Sequence, residues 1–193
     1  GGSVNQADNT GEIPLWIASY RGHLEIVKLL IESGGSVNHA DDTGATPLRI
    51  ASQEGHLEIV KLLIESGGSV NQPNKNGATP LYVASHEGQL EVVRLLIESG
   101  GSVNQADNTG EIPLWIASYR GHLEIVKLLI ESGGSVNQAN NKEATPLYIA
   151  SECGHLEVVK LLIKSGGSVN QARNTGATPL YIASQQGHLE IVR

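Results

Sequence analysis

Thr178-Pro-Leu-Tyr-Ile-Ala-Ser184, followed after Gln-Gln-Gly by His188-Leu-Glu-Ile-Val192, decides how this chain is read, because a close copy recurs every 33 residues. The prolines make the count simple. Pro14, Pro47, Pro80, Pro113, Pro146 and Pro179 are spaced by 33 each time, and Pro73 alone stands outside the series. A strict period of this length signals a stacked repeat array.

The copy that contains Pro47 explains itself physically. Thr46, like Thr79, Thr145 and Thr178, stands immediately before a proline. This sets an N-cap hydroxyl beside a residue whose missing N–H costs nothing in a first helical turn. The spacing predicts a short helix from Pro47 to Glu54, closed by Gly55, the residue best suited to a left-handed cap. A second helix follows from His56. Its polar residues Glu58, Lys61 and Glu65 form one narrow outward stripe and leave the other faces apolar. Ser66-Gly67-Gly68 ends it, and Val70-Asn-Gln leads through an extended excursion to a turn at Gly77. Isolated helices below about 12 residues are marginal in water, so neighbouring copies must supply the burial. The small pair Ala51-Ser52 lets helices approach, while Leu48, Leu57, Val60 and Leu63 are expected to fill the space between copies.

The pattern G-x-T-P-L-x-x-A-x-x-x-G-H-L-E-I-V-x-L-L, seen from Gly44 to Leu63, resembles the ankyrin repeat, and the likeness covers essentially the whole chain. It implies an all-α repeat solenoid of stacked helix-turn-helix units with β-hairpin-like loops. In that frame residues 1–193 form a single domain. Residues 1–7 are the tail of an earlier copy, complete copies run 8–40, 41–73, 74–106, 107–139 and 140–172, and 173–193 is partial. The resemblance further implies that hairpin tips and first helices line a concave face, and that such domains act as protein-binding surfaces. The chain departs from the family pattern in three ways. The T-P-L-H histidine is replaced by Trp16, Arg49, Tyr82, Trp115, Tyr148 and Tyr181, so its usual hydrogen bonds are absent or rebuilt. Ile13 and Ile112 replace the capping threonine, at a capping loss of about 1 kcal/mol each. Glu143 occupies the turn-glycine position, where a positive φ would carry strain of about 1 kcal/mol or more unless the turn is rebuilt.

Composition narrows the function classes. A net charge of −7 without a basic run disfavours nucleic acid and anionic membrane surfaces. No apolar run approaches the roughly 20 residues needed to span a bilayer. The one cysteine, Cys153, allows no intrachain disulfide and fits a reducing, cytoplasmic setting. The chain starts inside one copy and stops at Arg193 within a second helix, without polar terminal copies. It is therefore expected to be part of a longer array, with Leu189 to Arg193 its most mobile stretch apart from the first residues. Residues 1–33 and 100–132 are identical at all 33 positions, and a recent internal duplication is the simplest cause.

Nothing in the sequence points to catalysis, a cofactor or a metal. The histidines His23, His56, His122, His155 and His188 fall one copy apart, about 8–10 Å, too far to share one ion that needs ligands at about 2 Å. They are read as structural residues opening the second helices. Cys153 and His155 flank Gly154 with no third orienting group, which an activated thiol requires. The Ser-Gly-Gly-Ser stretches are not followed by a lysine at phosphate-loop spacing. Glu25, Glu58, Glu91, Glu124, Glu157 and Glu190 form a solvated ladder beside basic residues three positions on.

Variation between copies concentrates at the turns and first helices. All seven Trp and Tyr residues fall at two positions of the copy, four residues apart on one helix face. The expected partner-binding residues are Glu12, Trp16, Tyr20, Arg21, Arg49, Gln53, Tyr82, His86, Glu111, Trp115, Tyr119, Arg120, Tyr148, Glu152 and Tyr181. Trp, Tyr and Arg are the side chains most enriched at binding hot spots. The competing expectation is that the aromatics only fill gaps left by the missing histidine. The function read from the sequence is a monomeric scaffold binding a protein or peptide on its concave face. The alternative is an elastic spacer with no ligand of its own.

Overall fold

The computed structural model describes residues 2–193; Gly1, the first residue of the expected tail, lies outside the described residues. Among the described residues there are twelve helices and no strand. The chain divides into two compact units, residues 1–102 and 103–193. The first holds α1 (Pro14–Tyr20), α2 (Leu24–Glu32), α3 (Pro47–Glu54), α4 (Leu57–Glu65), α5 (Pro80–Glu87) and α6 (Leu90–Glu98). The second holds α7 (Pro113–Arg120), α8 (Leu123–Glu131), α9 (Pro146–Cys153), α10 (Leu156–Lys164), α11 (Pro179–Gln186) and α12 (Leu189–Val192).

The helix boundaries follow from local chemistry. The hydroxyls of Thr46, Thr79, Thr145 and Thr178 accept the amide three residues on, and a proline opens each helix behind them. Gly55 then takes φ 78° and ends α3. At the equivalent Gly154 a side chain is excluded twice. Its φ is +80°, and a Cβ there would lie 2.6 Å from the His188 ring. Ile13 and Ile112 make no cap bond, as their chemistry requires, but both are fully buried. Their aliphatic burial offsets the lost cap, a compensation that the threonine pattern by itself conceals.

Within each unit the core lies between successive helix pairs. Leu48, Val60, Leu63, Leu81, Val93 and Leu96 have no solvent exposure in the first unit, and Leu114, Val126, Leu129 and Leu162 have none in the second. Each such burial is worth about 1.5–3 kcal/mol. The dependence on a neighbour is visible at α1 and α2, which have no helix pair before them in their unit. There Ile17 and Ile26 are 39% and 50% exposed, whereas their equivalents Ile50 and Ile59, covered by the preceding pair, are 6% and 2% exposed. First helices lie much closer to one another than second helices do, in α1–α3–α5 and again in α7–α9–α11. Fully buried Ala51 and Ser52 permit that approach, with Ser52 Oγ turned back onto Leu48 O at 2.7 Å. Each unit is thereby bent toward its first helices. The terminal α12 buries no side chain.

Polar bridges join the copies as regularly as the apolar contacts. Asn38 donates from Nδ2 to Gly67 O at 2.9 Å and accepts from Ser69 N at 2.8 Å. Asn5, Asn71, Asn104 and Asn137 repeat that pair of bonds. In the turns, Asp41 Oδ1 accepts from Thr43 N, Thr43 Oγ1 and Ala45 N. Single backbone bonds link successive tips: Asp42 N to Thr10 O at 3.0 Å, Lys75 N to Thr43 O at 2.9 Å and Asn141 N to Thr109 O at 2.9 Å. The hairpin-like loops are thus tight turns with single links, too short for a strand ladder. Glu143 does take the left-handed conformation, with φ 60°, and is the one non-glycine among the described residues that does so. The turn is kept rather than rebuilt, closed by Glu143 N on Asn140 O at 2.8 Å. Glu143→Gly should therefore stabilise the chain by about 1 kcal/mol, seen as a higher urea midpoint; an unchanged midpoint would mean that this turn carries no strain.

Candidate functional site

The residues expected to bind a partner divide sharply by burial. Trp16 and Trp115 are each 7% exposed, and Tyr148 is 2% exposed. All three are core, not exposed anchors. The Trp16 indole Nε1 donates to Ala45 O at 3.0 Å and that of Trp115 to Ala144 O at 2.9 Å. Each ring therefore spans to the next copy and ties itself to a carbonyl there. An apolar ring with one polar edge suits a position that is dry on its faces and must satisfy a carbonyl at one end. Tyr148 is covered by Arg173, whose guanidinium carbon lies 5.2 Å from the ring centre while Nε donates to Lys142 O at 2.9 Å.

What remains on the surface is the second aromatic position and the charged residues near it. Tyr20 is half-buried, packs on Trp16 at 5.8 Å between ring centres, and carries Arg21 above its ring at 5.1 Å. Tyr119, 41% exposed, stacks on Trp115 at 5.9 Å. Arg21 and Arg120 are exposed. Glu12, Arg49, Gln53, Tyr82, His86, Glu111 and Glu152 are half-buried. Tyr181 is 59% exposed and belongs to the last first helix, α11, where it borders a polar hollow of about 440 Å³ with Tyr148, Glu152, Arg173 and Gln185. Arg173 is a member of this face that the sequence reading missed. The available signal was a break in the turn series: Asp8, Asp41, Asn74, Asp107 and Asn140 precede it at that position.

Electrostatics distinguish the turn carboxylates. Bonds from the Thr10 hydroxyl, the Thr10 amide and the Glu12 amide hold Asp8 below the usual carboxylate range. Glu12 is raised instead, by partial burial and then by the nearby charges of Asp8 and Asp41. Burial lowers the pKa of the Arg49 guanidinium, with Asp41 acting in the opposite direction. The Cys153 thiol is pushed up by burial and by Glu152. This is the opposite of what a nucleophilic thiol needs.

His56, His155 and His188 are committed to structure. His56 Nε2 lies 3.0 Å from Tyr20 O, His155 Nε2 2.9 Å from Tyr119 O, and His188 Nε2 2.9 Å from Glu152 O. Each ring satisfies a carbonyl at the end of the preceding copy's first helix, one of those a helix terminus leaves open. Gln89 makes the same reach to Gln53 O at 3.3 Å. Among the described residues no group of three or more His, Cys, Asp or Glu side chains could hold a metal ion, and no helix is long and apolar enough to cross a membrane.

A family model described as "Ankyrin repeats (3 copies)" matches residues 1–74, 67–140 and 114–193, which together take in the whole chain. The chain belongs to the ankyrin repeat family. Ankyrin repeats are in general protein–protein interaction modules, and the family is typically a non-catalytic scaffold. No curated protein matches the chain.

Two outcomes follow from the burial and charge of these residues. Trp115→Ala should cost about 3–5 kcal/mol, as a large buried aromatic lost from a core. Tyr119→Ala should stay within about 1 kcal/mol. Chemical denaturation of the two variants checks the division between core and surface. Because the Glu12 pKa is raised in the fold, its contribution to stability is present below the unfolded pKa of about 4.5 and is lost as pH rises through the folded value. Glu12→Gln should accordingly raise the melting temperature at neutral pH and leave it unchanged in acid below the carboxylate range.

Proposed function

We propose that this chain is a binding scaffold holding a protein or peptide along the turns and first helices, the side toward which each unit bends. The observation that carries this reading is the separation on the first-helix face of each unit. Trp16, Trp115 and Tyr148 stiffen the array from inside, while Tyr20, Arg21, Tyr119 and Arg120 stand next to them at the surface. A rigid base with aromatic and arginine side chains above it suits a hot spot, since little side-chain freedom is lost on binding. Arg49, Gln53, Tyr82, His86, Glu12, Glu111, Glu152 and Tyr181 extend the contact surface. The buried trio contributes by holding the others in place. A net charge of −7 favours a protein or peptide over nucleic acid, and the lone, half-buried thiol of Cys153 suits a reducing cytoplasm. Each unit carries first-helix surface residues of its own, and the scaffold is proposed to work as a monomer.

The test compares two variants in partner capture. Tyr20, Arg21, Tyr119 and Arg120 are changed to alanine in one, and Glu58, Lys61, Glu91 and Arg94 on the outer stripe of the second helices in the other. The first should lose the partners that wild type retains, and the second should keep them. Equal capture by all three chains would favour a spacer with no ligand of its own.

A further inference from the structure

Among the described residues one buried side-chain nitrogen or oxygen atom has no hydrogen-bond partner, and it is Nε of Arg49. A desolvated, charged donor left unpaired is costly, and folded chains rarely tolerate one without a role for it. The repeat makes the exception sharper. At the same position in other copies, Trp16 and Trp115 donate to the following copy's alanine carbonyl. Arg49 does not take the corresponding carbonyl, Ala78 O, which accepts the amide of Asn74 at 3.1 Å. The guanidinium also has no ion pair within bonding distance; Asp41, whose charge acts on it from further away, has Oδ1 occupied by its own turn. The terminal nitrogens keep some contact with solvent on the first-helix face, between the positions of Trp16 and Tyr82 and one helical turn from Gln53.

We propose that Arg49 is the anchor for a carboxylate of the bound protein or peptide, an Asp or Glu side chain or a chain terminus. The inference rests on the binding face described above and adds the chemistry of the ligand. The carboxylate approaches the exposed terminal nitrogens, and an outward turn of the side chain brings Nε into the planar two-bond fork that guanidinium forms with carboxylate. Binding thus satisfies a donor that the free chain leaves stranded. Arg49 is itself half-buried, so a pair formed there is partly shielded from water, which strengthens it. A singly charged carboxylate fits better than a phosphate dianion, because Asp41 and the net charge of −7 repel the second charge as well.

The test titrates the full chain, labelled with nitrogen-15, with the N-methylamides of N-acetyl-glutamate, N-acetyl-glutamine and N-acetyl-phosphoserine, whose only ionisable group is the side chain, while the Arg49 Nε–H resonance is followed. Saturable movement of that resonance with the terminus-blocked glutamate, without movement for the neutral, terminus-blocked glutamine, supports the anchor. Equal shifts at all arginines would mark general screening and overturn it. Saturation at lower concentration by the terminus-blocked phosphoserine would replace carboxylate by phosphate. Arg49→Tyr, which places there the residue of three other copies, should remove the response and raise the urea midpoint. It should also weaken captured partners by at least about tenfold. If Arg49→Tyr binds those partners as wild type does while the four-alanine variant loses them, the anchor falls and the binding face stands. If neither variant loses them, the face itself is wrong.

Discussion

The apolar residues of a helix pair in this chain are covered only where another pair stacks on them, and that dependence governs the rest. Helices of seven to nine residues, such as α1, α3 and α4, lack the length to persist alone. What stabilises them is the layer formed by Leu48, Leu63, Leu81 and Leu96 between successive pairs. The partial exposure of Ile17 and Ile26, against near-complete burial of Ile50 and Ile59, shows the same surface with and without that layer. A core of this kind grows by addition and has no closed centre.

Polar groups keep the stacking in register. Apolar contact alone tolerates some sliding, but the bond from a second-helix histidine to the preceding copy's carbonyl does not, nor does the two-bond bridge from Asn38 to Gly67 and Ser69. The indoles of Trp16 and Trp115 add a further fixed link near the start of the first helix. Three directional ties between neighbours hold the backbone so that surface side chains on the turns and first helices keep their spacing. The asymmetry between closely packed first helices and splayed second helices bends each unit toward that same surface. Arg49 is then the conspicuous departure. It occupies a linking position without making the link, and departures of that kind are expected where a surface serves another purpose.

The period, the helix boundaries and the glycine and threonine caps were legible because each depends on residues close together in sequence. Pro47 after Thr46, and Gly55 at the end of α3, act within one turn of backbone. That Glu143 sits where the other copies need a positive φ was legible for the same reason, but that the turn keeps this φ instead of being rebuilt was decided by the structure. The asparagine bridges were not legible. Asn38 bonds residues 29 and 31 positions away, and its invariance across copies looks the same whether it caps, turns or bridges. Arg173 escaped notice because its place in the turn series concealed that its side chain lies over Tyr148.

The aromatic stripe marks the division most clearly. The sequence by itself determined that this is an array of short helix pairs, where each helix begins and ends, and that the aromatics share one face, because capping, periodicity and turn chemistry are local. Only the tertiary structure decided that Trp16, Trp115 and Tyr148 face the core while Tyr20, Tyr119 and Arg49 border solvent. A helix face can be shared by buried and exposed residues, and which of them is covered depends on the tilt and closeness of the next copy, to which no single copy's sequence refers.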